Sequence, residues 1–231
     1  MIDMIKVPAI FLSFDDWWER EWVKYLPMLA DNNVKATFYP CIRKNLGMPI
    51  LDSEEKIRDA IRPAFWPSLK EIQAQGHTIG FHSVNHLKLS FLIKSIGPQN
   101  LMKTEIHPGL KIFSENGFKL KHFAYPFGNY SPETNDALLK YFLTIRTIVP
   151  LEIPSMMRAY SINDLQKTKV FIAFDIKYPG WQSALDLVFK KQSIGFFFTH
   201  NPYDSISELN ELFYSAKKHG ATFYPMSALE A

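Results

Sequence analysis

Short apolar runs that alternate with longer segments of helical periodicity constrain the fold of this chain more than any other feature. The run Ile10 to Phe14 has the length of a buried strand, and Trp17 to Asn32 follows it with apolar residues at helical spacing. The alternation recurs as far as a last predicted strand, Ala221 to Tyr224. Strands that alternate with helices indicate βαβ units around a parallel sheet, so we expect an α/β protein.

The composition fits one globular domain and argues against several classes of partner. The chain has 231 residues, 47% of them hydrophobic and 21% charged, which is enough to bury a substantial single core. A net charge of +3 without any block of basic residues predicts no nucleic-acid partner. No apolar stretch approaches the ~18 residues of a membrane span. The sequence as given has no signal-peptide pattern, and we therefore expect a cytoplasmic protein.

Two short segments carry the residue types of a catalytic metal site. Asp15 and Asp16 directly follow the first predicted strand, and His82 and His86 lie four residues apart. On a helical turn, positions i and i+4 share a face, so both imidazoles can reach one metal ion. Two histidines and one carboxylate, with a further position for water, form a common type of catalytic zinc site. The second carboxylate then remains free to act as a base, which predicts a hydrolase.

Four segments with reactive side chains come just after predicted strands. They are Asp15-Asp16, His82 to His86, Tyr125 to Gly128 and Thr199-His200. In a barrel of parallel strands the carboxyl ends share one face, and that face carries the active site. We therefore expect these segments to converge.

These segments resemble the motifs of the polysaccharide deacetylase family, carbohydrate esterase family 4, built on the nodulation-protein deacetylase homology domain. The matching segments are Leu12 to Asp16, His82 to His86, Phe123 to Gly128 and Phe197 to His200. The resemblance spans almost the whole chain. It implies an α/β fold of the distorted (β/α)7-type barrel, with residues 1–231 as a single deacetylase-like catalytic domain. It also implies an enzyme that removes N-acetyl groups from an N-acetylhexosamine-containing glycan or glycan precursor.

The resemblance further implies a role for each matched residue. Asp15 would be the general base and His200 the general acid, and the backbone N–H of Phe127 would help to hold the oxyanion. The ligands of a divalent metal, for which zinc is best suited, would be Asp16, His82 and His86. The partner would be a carbohydrate substrate.

The chain departs from the family pattern at one position. Many members carry an arginine that tethers the base, and here that position is Ala124. We predict that Arg158, from a later segment, takes over this contact. Asp175, after the predicted strand Val170 to Phe174, is the predicted partner of the His200 ring.

Other interpretations of the same residues stay open at this point. Adjacent aspartates after a strand can simply cap a helix. The same metal chemistry also suits an amidohydrolase that acts on a small non-sugar amide. The absent arginine favours a third alternative, a carbohydrate-binding barrel without turnover. Two further predictions concern the cleft: the insertion from Cys41 to Pro63 shapes it, and Trp17 and Trp181 are candidates to line it.

Overall fold

The computed structural model describes residues 2–148 and 158–230, which contain eight parallel strands and nine α-helices. The strands are β1 (Ala9–Asp16), β2 (Thr37–Pro40), β3 (Thr78–Ile79), β4 (His122–Ala124), β5 (Thr144–Ile148), β6 (Val170–Asp175), β7 (Ile194–Thr199) and β8 (Thr222–Phe223). The helices are α1 (Glu19–Asp31), α2 (Glu54–Asp59), α3 (Phe65–Ala74), α4 (Leu89–Leu101), α5 (His107–Glu115), α6 (Pro132–Leu138), α7 (Ile162–Lys167), α8 (Trp181–Lys190) and α9 (Ile206–Lys218).

The strands form a nearly closed barrel. Their order is β3-β2-β1-β7-β6-β5-β4, and β8 pairs with the beginning of β1. The two outer strands approach each other because Phe81, just after β3, forms a parallel bridge with Phe123 in β4. The predicted (β/α)7-type barrel is confirmed, and all strand carboxyl ends face the same way.

Side-chain alternation along β1 separates the two sides of the barrel wall. Leu12 and Phe14 pack in the hydrophobic cluster that includes Trp22 of α1. Phe11 belongs to a second cluster, with Phe196 of β7, on the other face of the sheet. Because successive residues of a strand point to opposite faces, Ser13 and Asp15 share the face of Phe11. The pattern of β1 therefore directs Asp15 into the barrel interior, and the left-handed backbone of Asp16 (φ 82°) ends the alternation there.

The segment with the two candidate histidines is a loop and not the helical turn that their spacing predicted. Residues 82–88 contain no helix, and Ser83 (φ 64°) and His86 (φ 55°) have left-handed backbone conformations. The interpretation from i,i+4 spacing is therefore wrong. Instead, a loop with two residues in left-handed backbone conformations brings the two imidazole rings together.

A second difference concerns the helix predicted over Gln99 to Asn116. The structure has α4, which is kinked at Gly97 (φ 77°), then a π-helical turn at Met102–Ile106, and then α5. The wide turn places Glu105 in the interior. None of the helices in the described residues has the length and apolar character needed to cross a membrane.

One buried histidine is expected to give the fold a pH dependence. Nδ1 of His77 accepts the backbone N–H of Ala36 at 3.1 Å, which requires a neutral ring. Burial, together with the charge of Lys35, lowers the pKa of His77 from 6.5 to about 4. The unfolded chain therefore binds this proton at higher pH than the folded protein does. We expect the free energy of unfolding to decrease as pH falls from 6.5 to 4, by up to about 1.4 kcal/mol per pH unit.

The variant His77→Asn keeps an acceptor near the position of Nδ1 and cannot be protonated there. Urea unfolding at pH 7 and pH 5 should show a smaller loss of stability for this variant than for the unsubstituted protein. Equal losses in the two proteins would contradict the assignment.

Candidate active site

Three predicted metal ligands meet at the carboxyl ends of β1 and β3. Oδ1 of Asp16 lies 2.9 Å from Nε2 of His86 and 3.3 Å from Nε2 of His82. One ligand atom from each of the three residues lies within 4.8 Å of the others, and all three residues are buried. The folded chain therefore gathers these side chains around one point.

The polar atoms at this point fit a bound cation. Nδ1 of His82 lies 2.8 Å from the carbonyl oxygen of Ala124, so it donates its proton there and leaves a lone pair on Nε2. That lone pair faces Oδ1 of Asp16, a buried oxygen that lacks a hydrogen-bond donor. Two such acceptors repel each other unless a positive charge lies between them. Two imidazole nitrogens and one carboxylate oxygen suit a divalent metal, and the carbonyl contact orients the ring as metal-bound histidines are oriented.

The electrostatic surroundings favour the forms that bind a cation. Burial raises the pKa of Asp16, but the adjacent imidazoles of His82 and His86 outweigh burial and hold the pKa well below its usual range. Burial lowers the pKa of His86, which favours the neutral ring. Ionised carboxylate and neutral imidazole are the ligand states that metal binding needs.

Asp15 contacts an arginine inside the barrel. Its Oδ2 accepts a hydrogen bond from Nη2 of Arg146 in β5, and both residues are only 2% exposed. The Arg146 guanidinium lies 4.5 Å from the centre of the Phe198 ring and 5.5 Å from that of Tyr39. Asp15 and Asp16 are therefore neighbours in sequence with opposite surroundings, an arginine for one and two imidazoles for the other.

The arginine on Asp15 is not the one that the sequence predicted. Arg158 is exposed, and its guanidinium lies 5.8 Å from the ring centre of Tyr160. Arg146 makes the contact instead because β5 and β1 both line the barrel interior. A signal for it was present in Thr144-Ile145-Arg146-Thr147, where a charged residue interrupts a buried strand and needs a partner.

His200 and Asp175 lie on the same face as the metal ligands. Nε2 of His200 is 3.9 Å from Oδ2 of Asp16, and the His200 side chain is 42% exposed. Oδ1 of Asp175 accepts the backbone N–H of Lys177 at 2.9 Å. Burial raises the pKa of Asp175, while the charge of His200 lowers it. The interaction that the structure gives between these two side chains is therefore electrostatic.

A cavity of about 790 Å³ opens over these residues. Phe127 lines it with a left-handed backbone (φ 57°), and its ring centre lies 4.6 Å from that of His86. Leu46, from the predicted insertion, forms part of the wall, and so does Trp17. Trp181 instead lies in the hydrophobic core at 3% exposure. The predicted site residues that line the cavity are Asp15, Asp16, His82, His86, Phe127, Asp175 and His200.

Comparisons with known proteins agree with this architecture. The sequence model of the family described as Polysaccharide deacetylase matches residues 5–145. The search of curated proteins gave no match. The solved chitin deacetylase from the fungal pathogen Colletotrichum lindemuthianum is 12% identical, with a TM-score of 0.58 over 98% of this chain and 90% of that one. The catalytic domain of a peptidoglycan N-acetylglucosamine deacetylase from Eubacterium rectale is 17% identical, with a TM-score of 0.57 over 97% and 91%.

Not all similar structures are those of active enzymes. A CE4 family pseudoenzyme from Bacillus anthracis is 14% identical, with a TM-score of 0.59 over 96% of this chain. The chain spans 64% of that protein and 66% of a CE4 family pseudoenzyme mutant with restored enzymatic activity. At these identities the likeness shows a shared fold. The match to the family sequence model covers more than half of the residues, and the chain thus belongs to the polysaccharide deacetylase family.

Proposed function

We propose that the protein is a metal-dependent hydrolase that removes N-acetyl groups from a carbohydrate containing N-acetylhexosamine. The observation that carries the proposal is the contrast between two adjacent carboxylates. Asp16 faces the imidazoles of His82 and His86, whereas Asp15 pairs with Arg146. Carboxyl groups with such different surroundings suit different roles in one reaction. Membership of the polysaccharide deacetylase family supports a carbohydrate as the substrate.

The proposed cofactor is a divalent ion held by Asp16, His82 and His86, and zinc fits this donor set best. When bound, such an ion polarises the acetyl carbonyl and makes water acidic enough to react near neutral pH. The roles of the other residues are proposed from their own positions in the site.

Asp15 is the proposed general base, which takes a proton from the attacking water. The Arg146 guanidinium orients this carboxylate through its hydrogen bond to Oδ2. The backbone N–H of Phe127, beside His86, is proposed to donate to the acetyl oxygen as it becomes negative. A donor of this kind contributes about 3–4 kcal/mol to catalysis.

His200 is the proposed general acid. Its half-exposed ring lies at the cavity beside Asp16, where it can protonate the departing amine nitrogen. Asp175, which lines the same cavity, is proposed to be the charged partner of the His200 ring. The proposed base thus lies in β1, and the proposed acid directly follows β7.

The pairing of Asp15 with Arg146 also bears on the alternative of a carbohydrate-binding barrel without turnover. The reason to suspect a barrel without turnover was Ala124, which replaces the arginine of many family members. Arg146 supplies a cation at the same carboxylate from another strand, which supports an active enzyme. The mechanism itself would serve a small non-sugar amide equally well, so the substrate class rests on the family.

Acetate release from N-acetylglucosamine oligomers tests the proposal. We expect the zinc-loaded protein to release acetate. Acetate release should stop when a chelator removes the zinc and resume when zinc is restored. Hydrolysis of simple N-acetyl amides alone would favour the amidohydrolase. Sugar binding without acetate release by the zinc-loaded protein would contradict the proposal.

A further inference from the structure

A buried carboxylate outside the cavity contacts the loop that carries both histidines. Glu105 lies in the π-helical turn between α4 and α5 and is 1% exposed. Burying a carboxylate costs free energy unless hydrogen bonds compensate it. Single π-helical turns within helices occur frequently at functional sites.

Each of the three residues between His82 and His86 bonds to Glu105. Oε2 accepts the backbone N–H of Asn85 at 2.9 Å, and Oε1 accepts Nδ2 of the same residue at 2.8 Å. The side chain of Ser83 also hydrogen-bonds to the carboxylate. The backbone carbonyl of Glu105 accepts the N–H of Val84 at 3.2 Å.

These neighbours fit an ionised carboxylate. The Asn85 groups that point at Glu105 are N–H donors, and an ionised carboxylate offers only acceptors. Burial raises the pKa of Glu105 above its usual value, although its hydrogen bonds and the charge of Arg43 oppose the rise. If the Glu105 carboxylate were replaced by an amide, its NH₂ group would face the N–H donors of Asn85. At least one of these hydrogen bonds would then be lost.

The loop needs such support because its backbone is strained. Ser83 and His86 both have positive φ, which costs about 1–2 kcal/mol for each residue other than glycine. The Ser83 hydroxyl accepts the N–H of His86 at 3.0 Å and so links one strained residue to the other. Glu105 holds Ser83 and Asn85 and thereby fixes the directions in which both rings leave the backbone.

Asn85 extends the same network to the wall of the cavity. Its side chain pairs with the backbone of Leu51, accepting the N–H at 2.7 Å and donating to the carbonyl at 3.2 Å. Its carbonyl accepts Nη1 of Arg43 at 3.2 Å, and Arg43 also donates to the carbonyl of Leu46. The histidine loop and the wall segment with Leu46 therefore form one hydrogen-bonded unit.

We propose that Glu105 is a positioning residue for the metal centre and sets the geometry of His82 and His86 through Ser83, Val84 and Asn85. This inference rests on the proposed function, since it requires that the two histidines bind a metal.

Zinc affinity of the variant Glu105→Gln tests the inference. The variant keeps the size of the side chain but replaces one acceptor oxygen with a donor. We expect zinc to bind about 10–100-fold more weakly, as is typical when partners of metal ligands are changed. Competition with a fluorescent chelator measures this affinity at a temperature where circular dichroism shows the variant folded. The absorption spectrum of the cobalt-loaded variant should also differ from that of the unsubstituted protein.

The matched control is Glu230→Gln. Glu230 is also a hydrogen-bonded carboxylate, but it contacts His122 and Lys121 at the amino end of β4. Its replacement should leave zinc affinity within twofold and the cobalt spectrum unchanged. A loss of zinc affinity equal to that of Glu105→Gln would contradict a specific role for Glu105.

Asn85→Ala provides a second variant in case Glu105→Gln does not fold. It removes the side-chain contact while the backbone N–H can still reach Glu105, and we expect zinc affinity to fall as well. If both single variants fold, the double variant should lose less affinity than the sum of the single losses, because the two residues act through one contact. Folded variants with unchanged zinc affinity and cobalt spectra would overturn the inference. A lack of zinc binding by the unsubstituted protein would instead overturn the proposed function, and this inference with it.

Discussion

Replacement of Asp15 by asparagine is expected to lower kcat for acetate release by about 10²–10⁴-fold while zinc remains bound. The amide cannot accept the proton of the attacking water. Asp15 contacts Arg146 and not the histidines, so the metal ligands should be unaffected. Acetate assays combined with zinc analysis of the same sample measure both quantities.

A suitable control is Asp186→Asn, on the exposed face of α8. It makes the same chemical change away from the cavity and should leave kcat unchanged. An Asp15→Asn variant that keeps full activity, or one that loses its zinc, would contradict the proposed roles of the two adjacent aspartates.

Replacement of Arg146 by methionine is expected to reduce the free energy of unfolding by about 3–5 kcal/mol. Both members of the Asp15–Arg146 pair are buried, so the variant leaves an uncompensated charge in the barrel interior. Arg158→Met is the matched control, since Arg158 is exposed and should contribute less than about 0.5 kcal/mol. Urea unfolding of the two variants compares the arginine that the structure places on Asp15 with the one that the sequence predicted.

The pairing itself is tested by combining Asp15→Asn with Arg146→Met. If the loss of stability comes from the unpaired carboxylate, the double variant should be more stable than Arg146→Met alone. Similar small losses for Arg146→Met and Arg158→Met would show that the buried pair does not stabilise the barrel.

Much of the fold could be predicted because local and long-range signals agree. The strand predicted at Val170 to Phe174 is β6 (Val170–Asp175) in the structure, since a buried strand of parallel sheet is a continuous apolar run. The placement of polar residues after strands predicted which side chains meet. Asp15, Asp16, His82, His86 and His200 line one cavity because parallel strands end on one face.

The remainder depends on contacts between residues far apart in sequence. The spacing of His82 and His86 was compatible with a helical turn, and the observed loop depends on contacts from distant segments, such as those of Asn85 with Glu105 and Leu51. Arg146 and Asp15 are 131 positions apart, so no local pattern connects them. Helix periodicity likewise does not indicate the π-helical turn that brings Glu105 inward.

The most direct test of the account is a crystal structure of the protein purified without added metal and measured at the zinc absorption edge. We expect one anomalous peak, bonded to a carboxylate oxygen of Asp16 and to Nε2 of both His82 and His86, with Asp15 remaining on Arg146. A peak at any other position would contradict the account, and so would zinc-saturated crystals in which Asp16, His82 and His86 bind no ion.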